Sequence, residues 1–137
     1  MTNYLDRFVK AQAGVFDKAI EEIAAGKKQT HWMWFVFPQL RGLGQSENAY
    51  FYGIRNLDEA RDYLAHPILG PRLEKATQCV LKTNVSPQEI LGETDCQKFA
   101  SCMTLFGAAS PPESVFNHAL RTISTIDERT VQMLGEE

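Results

Sequence analysis

No run in these 137 residues comes near the roughly 18 consecutive apolar positions that a membrane-spanning helix requires. The opening "MTNYLDRFVKAQ" has no basic segment followed by an apolar one, so no secretory leader is expected. Cysteine is scarce: Cys79, Cys96 and Cys102 are odd in number and nowhere spaced as CxxC. A disulfide framework is therefore not expected, and reduced thiols in a cytoplasmic protein are the simplest reading. No two histidines have HxxxH spacing and no cysteine lies near a histidine in sequence, so neither a metal centre nor a cofactor is expected. Basic charge is short as well. Lysine and arginine number 14 against 17 acids, for a net charge of −3, which argues against broad nonspecific nucleic-acid binding while allowing a local basic patch.

Internal repeats, low-complexity tracts and long Pro/Gly/Ser linkers are also missing, as are convincing alternating strands. What remains is the composition of an ordinary globular protein, with 44% hydrophobic and 23% charged residues. A chain of this length buries roughly two-thirds of its unfolded surface, enough for a core without disulfides or a metal. One domain spanning residues 1–137 is expected.

Helical punctuation recurs along that domain. Leu5, Phe8, Val9, Ala13, Phe16, Ala19, Ile20 and Ile23 keep helical spacing over five turns, with Asn3 as cap and Gly26 as stop. Ser46 and Asn56 can each cap a segment, and Pro67 breaks the second. Pro71 suits a first helical turn. Ser86 with Glu89, and Ser110 with Glu113, read as capping boxes. Asp95 or Thr94 starts "CQKFASCMTLF", and Asp127 begins a last short helix. The resulting expectation is all-α: a compact, multihelical domain of six to seven short helices packed orthogonally.

One stretch stands apart. "KKQTHWMWFVFPQLRGLGQS", residues 27–46, holds both tryptophans, one histidine and a GxG. The run from Trp32 to Phe37 is apolar on every side, so it is mostly buried and serves as an aromatic hub for the helices. The polar flank of Lys27, Lys28, His31, Gln39 and Arg41 asks for more than a hub. Gly42 and Gly44 could let the backbone approach a ligand and expose N–H groups to an anion, with Ser46 opening a helix beside them. Rings beside cations suit a flat, phosphorylated ligand. In this pocket Lys28, Arg41 and the Gly42–Ser46 backbone hold phosphate, Trp32 or Trp34 stacks a ring, and Gln39 adds a polar contact. His31 is the acid–base candidate, since its unperturbed pKa lies near neutrality. The GxG follows no strand, which excludes a Rossmann site.

Elsewhere the plainer reading prevails. His66 caps carbonyls at a helix end, and His118 packs within a helix. Ser101 and Thr104 near Lys98 are ordinary helix polarity, although a Ser–Lys pair can act as a nucleophile. Glu47, Glu74, Asp95 and Asp127 include possible acid–base groups, but capping or solvent exposure explains each more cheaply.

The block just quoted, with "YGIRNLDEARDYLAHPILGPRL" and "DCQKFASCMTLF", resembles a family of uncharacterised, mostly bacterial, all-helical proteins, many automatically labelled calpastatin. The resemblance runs from "YLDRFVKAQ" to "IDERTVQML". It implies a multihelical single domain and no established activity. The label itself fits badly, since calpastatin is a long disordered inhibitor. Cys102 departs from the family pattern, where a serine is expected, and so weakens any role for a hydroxyl there. A looser similarity, in size and helical character, is to the NADAR group of ADP-ribose- and nucleotide-processing proteins; it implies no residue roles. Three readings follow: a nucleotide or ADP-ribose-derivative hydrolase, a non-catalytic module binding a nucleotide, a phosphorylated metabolite or a peptide end, or a structural or protein-interaction domain whose Trp-rich block is core alone.

Overall fold

Helical periodicity without strand alternation gives a helical molecule, and a computed structural model of the chain describes residues 4–123 and 125–135. Among them are ten helices: α1 (Asp6–Gln12), α2 (Phe16–Ala24), α3 (Met33–Val36), α4 (Glu47–Phe51), α5 (Leu57–Ala65), α6 (Leu69–Lys82), α7 (Pro87–Leu91), α8 (Glu93–Ala108), α9 (Val115–Ile123) and α10 (Glu128–Gly135). The described residues form no strand; Leu40 and Ile54 make one isolated parallel bridge. Among the described residues no helix is long and apolar enough to cross a membrane.

The fold is organised around α8. Every residue from Phe99 to Gly107 is buried, the signature of a helix surrounded by others. α5, α7, α9 and α10 pack on it, and α6 spans the space between α2, α5 and α9. Rings link the layers: Phe37 meets Phe99 edge-on at 5.1 Å, and Tyr63 lies 5.2 Å from both Phe8 and Phe106. These aromatic contacts bring the 32–37 block into the centre, as its all-round apolarity requires.

The helix count exceeds the expected six to seven for physical reasons. The long N-terminal helix is broken in two, because Ala13 is extended (ψ 122°) and Gly14 adopts φ +74°. Apolar spacing continues across the break, so Phe8, Phe16, Ala19 and Ile23 still share the core. The Asn3 cap lies outside the described residues. "HWMWFVF" contributes the single turn α3. α8 starts at Glu93, before the expected Asp95 or Thr94, after Gly92 with φ +87°. Ser114, not Ser110, accepts the Asn117 N–H at the start of α9 (3.3 Å), while the Ser110 hydroxyl turns back to the Phe106 carbonyl. The His66 imidazole receives the N–H groups of Ile68 and Leu69 (3.1 and 3.3 Å), so it caps the start of α6 and not the carbonyls of α5. Caps expected at Ser46, Asn56, Ser86 and Asp127 are present as hydrogen bonds.

Candidate functional site

An acid inside an apolar stripe organises the stretch 27–46. Glu22 follows Ala19 by one turn, on the buried face of α2, and is 8% exposed. Its carboxylate accepts from the backbone of Gln29 (2.7 Å) and Thr30 (3.0 Å), the Thr30 hydroxyl (2.6 Å) and the Trp32 indole N–H (2.9 Å). Burial alone would raise its pKa. The hydrogen bonds outweigh burial and hold it at about 2. Trp32 is thereby sealed at 0% exposure. Its indole has no face open to a ligand, so the stacking role considered for it is structurally closed.

Beside this anchor lies a half-buried ionic chain. Lys28 Nζ sits 2.9 Å from Asp95 Oδ2, and Asp95 Oδ1 lies 3.3 Å from Lys98 Nζ. The Lys28 backbone N–H is held by the Ile90 carbonyl at 2.7 Å, which ties the 27–32 loop to α7. Lys28 lies 5.2 Å from the ring centre of buried Trp32, while Lys98 lies 3.9 Å over partly exposed Trp34. Two ammonium groups share one carboxylate, leaving one positive charge in surroundings of reduced dielectric. Side-chain exposures of 10, 18 and 23% for Lys28, Asp95 and Lys98 set the opening on the Lys98–Trp34 side.

The other expected residues are placed differently. Gly44 joins the Trp34 edge of the cluster: a Cβ there would lie 2.7 Å from the Ala49 Cβ and 3.9 Å from the Trp34 ring. Its absent side chain lets the loop close onto α4. Gly42 takes φ +104°, and its carbonyl accepts from Arg129 (3.3 Å). Gln39 uses its backbone carbonyl to receive the Ile54 N–H (2.9 Å). Ser46 is spent as the α4 cap. Arg41 is turned to Tyr50, donating through Nε to its carbonyl (2.9 Å) and lying 4.2 Å over its ring. His31 is exposed and carries no hydrogen bond or ion pair to another described residue. The structure thus brings Lys28, Trp34 and Gly44 to one place, with Arg41 and His31 engaged elsewhere or not at all.

Sequence reasoning missed Glu22 as the anchor and took Asp95 for a cap. Glu22 left a signal, an acid between Ala19 and Ile23 in a core stripe. Asp95 left none, because its partner Lys28 is remote in the chain. Also unforeseen is a groove of about 440 Å³ edged by Ser86, Glu93, Cys96, Gln97 and Thr122. Burial pushes the Cys96 thiol pKa up, the opposite of an activated nucleophile, and among the described residues no basic side chain lines this groove. The described residues contain no cluster of three or more His, Cys, Asp or Glu able to hold a metal ion.

Set against known proteins, the chain matches over residues 2–134 a family model described as "Protein of unknown function (DUF1810)". It is also similar to the crystal structure, at 1.38 Å, of the conserved hypothetical protein Rv1873 from Mycobacterium tuberculosis. The two are 48% identical, with a TM-score of 0.92 over 96% of each chain. The curated proteins give no match. These comparisons lend no support to the calpastatin label or to the NADAR likeness.

Proposed function

The chain belongs to the DUF1810 family of unknown function, and from that premise we propose that it binds a small anionic metabolite with a flat ring, such as a nucleotide. The observation that carries this reading is the Lys28–Asp95–Lys98 chain lying against Trp34. Lys98 is held over the ring by Asp95, so a cation and an aromatic face are already in place before a ligand arrives. Such preorganisation lowers the entropic cost of binding. A phosphate or carboxylate would meet the surplus charge, and a planar group would share the open part of Trp34. The three cysteines are free thiols, in keeping with a cytoplasmic setting for such a ligand.

Binding without turnover is the version the geometry supports best. A hydrolase would use His31 as acid–base, but an effective proton-transfer group is held within hydrogen-bond reach of its work. His31 is exposed and unheld. Thermal-shift and product assays against AMP, GMP, NAD, ADP-ribose and ribose 5-phosphate separate the two versions. A ligand at about a hundred times its Kd adds roughly 2.7 kcal/mol, a rise of several degrees at this size. That rise should vanish in Lys98→Gln and persist in Arg41→Ala, with no product formed. A shift lost in Arg41→Ala and kept in Lys98→Gln would move the site to Arg41. No shift with any of these compounds would remove the reading.

A further inference from the structure

Away from the lysine chain, the start of α1, α4 and the start of α5 meet in a second unusual surface. Six large hydrophobic side chains are exposed among the described residues, and the three aromatic ones lie here: Tyr4 (56%), Tyr50 (65%) and Phe51 (53%). Three arginines frame them. Arg7 is nearly buried and acts as a rivet: its guanidinium donates to the carbonyls of Tyr4, Phe51 (2.8 Å) and Gly53 (3.0 Å) and to Glu59 (3.1 Å). This ties the N-terminal turn to the loop after α4. The patch is therefore rigid although its rings face solvent.

The other two arginines are half-used. Arg41 donates through Nε to the Tyr50 carbonyl and lies 4.2 Å over the Tyr50 ring. Arg55 donates through Nε to Glu59 (2.9 Å) and lies 4.0 Å over the Tyr4 ring. Each is fixed by one nitrogen and a ring, and its terminal nitrogens have no partner among the described residues. Arg7 and Arg55 pair with the buried carboxylate of Glu59, while Arg41, the third guanidinium, makes no ion pair among the described residues. Their proximity registers in Arg7: burial lowers its pKa most, Glu59 opposes, and the charges of Arg41 and Arg55 lower it further.

We propose that the Tyr4–Arg41–Tyr50–Phe51–Arg55 face is a docking surface for an acidic segment of another protein. Charge complementarity selects the sign of the partner. The two terminal nitrogens of a fixed guanidinium match a carboxylate end-on. Rigid, exposed Tyr and Phe with Arg are the side chains that dominate protein interfaces. A nucleic acid fits less well, since tracking phosphates draws on a stripe of lysine and arginine, and no lysine takes part in these contacts. A second copy related by a two-fold axis would set the arginines against one another.

The test is fluorescence anisotropy on the full chain at physiological salt, where weak surface attraction is screened. The probe is a short fluorescein-labelled peptide of alternating glutamate and phenylalanine, with a labelled oligouridine alongside. Saturable peptide binding is expected. It should weaken about tenfold in Arg41→Gln/Arg55→Gln and in Tyr50→Ser/Phe51→Ser, and stay unchanged in Lys28→Gln/Lys98→Gln. The serine pair alters only exposed side chains, so it decides the question even where the arginine pair does not fold. Absence of saturable binding, or binding by both patch variants as tight as by the unaltered chain, overturns the proposal. Tighter binding of the oligouridine would assign the face to nucleic acid, and a concentration-dependent dimer abolished by Arg41→Gln/Arg55→Gln would assign it to a second copy; either result overturns it too.

Discussion

Trp32 and Trp34 stand two positions apart in one short turn, yet they serve different parts of the molecule. Trp32 is fully buried, and its indole N–H donates to Glu22. Trp34 keeps part of its ring open, lies near Gly44 and carries the Lys98 ammonium on its face. What separates them is the charge each ring meets. Trp32 meets a carboxylate already saturated with hydrogen bonds. Trp34 meets a cation whose one ion-pair partner among the described residues is shared with Lys28. A saturated charge fixes a fold, whereas a surplus charge is available to a ligand.

Substitutions on the Trp32 side should break the contrast hardest. Trp32→Ala removes a large buried aromatic and frees a buried acid, so it should cost about 3–5 kcal/mol, read as a fall in the urea midpoint. Acid should attack the same anchor. The Glu22 pKa of about 2 lies below its ordinary 4.5, so its contribution is complete above pH 4.5 and is lost as pH falls toward 2. The loss is on the order of 3 kcal/mol, measured by denaturant melts across that window. Glu22→Gln keeps the shape and removes the charge. It should cost about 2 kcal/mol at neutral pH and flatten the acid transition.

On the other side the effects on stability shrink while those on ligand binding grow. Trp34→Ala should cost about 1 kcal/mol, because the ring is already partly solvated, and should abolish the ligand-dependent thermal shift. His31→Ala should change stability by less than about 0.5 kcal/mol and leave ligand binding as it was. A large loss of ligand affinity in His31→Ala would erase the division between the two rings.

How much of this was legible depends on the range of the signal. Caps at Ser46, Asn56, Ser86 and Asp127 act within three residues of themselves, and the hydroxyl, amide or carboxylate makes the expected bond. Core positions such as Phe8, Phe16 and Ile23 were readable because burial follows periodicity. The break at Gly14 was not, since the apolar spacing continues in phase through it. The Ser110–Glu113 box failed locally, because the Ser110 hydroxyl found a nearer acceptor in Phe106. The site divides in the same way. The hub around Trp32 follows from its apolarity, and Lys28 was among the expected ligand contacts. Asp95 and Lys98, which decide which indole is left open, come from a distant helix and become visible only once α8 packs beside the 27–32 loop. Arg41 belonged to the same sequence cluster as Lys28, but the parallel bridge of Leu40 with Ile54 carries its side chain to Tyr50.

The most direct measurement follows the two indole N–H signals by NMR, first in deuterated solvent and then in a titration with AMP. The Trp32 signal should exchange only through opening of the fold and stay in place during the titration, while the Trp34 signal moves saturably. Rapid exchange at Trp32, or a titration that moves Trp32 and leaves Trp34 still, would contradict the division of this stretch into a sealed anchor and an open ligand face.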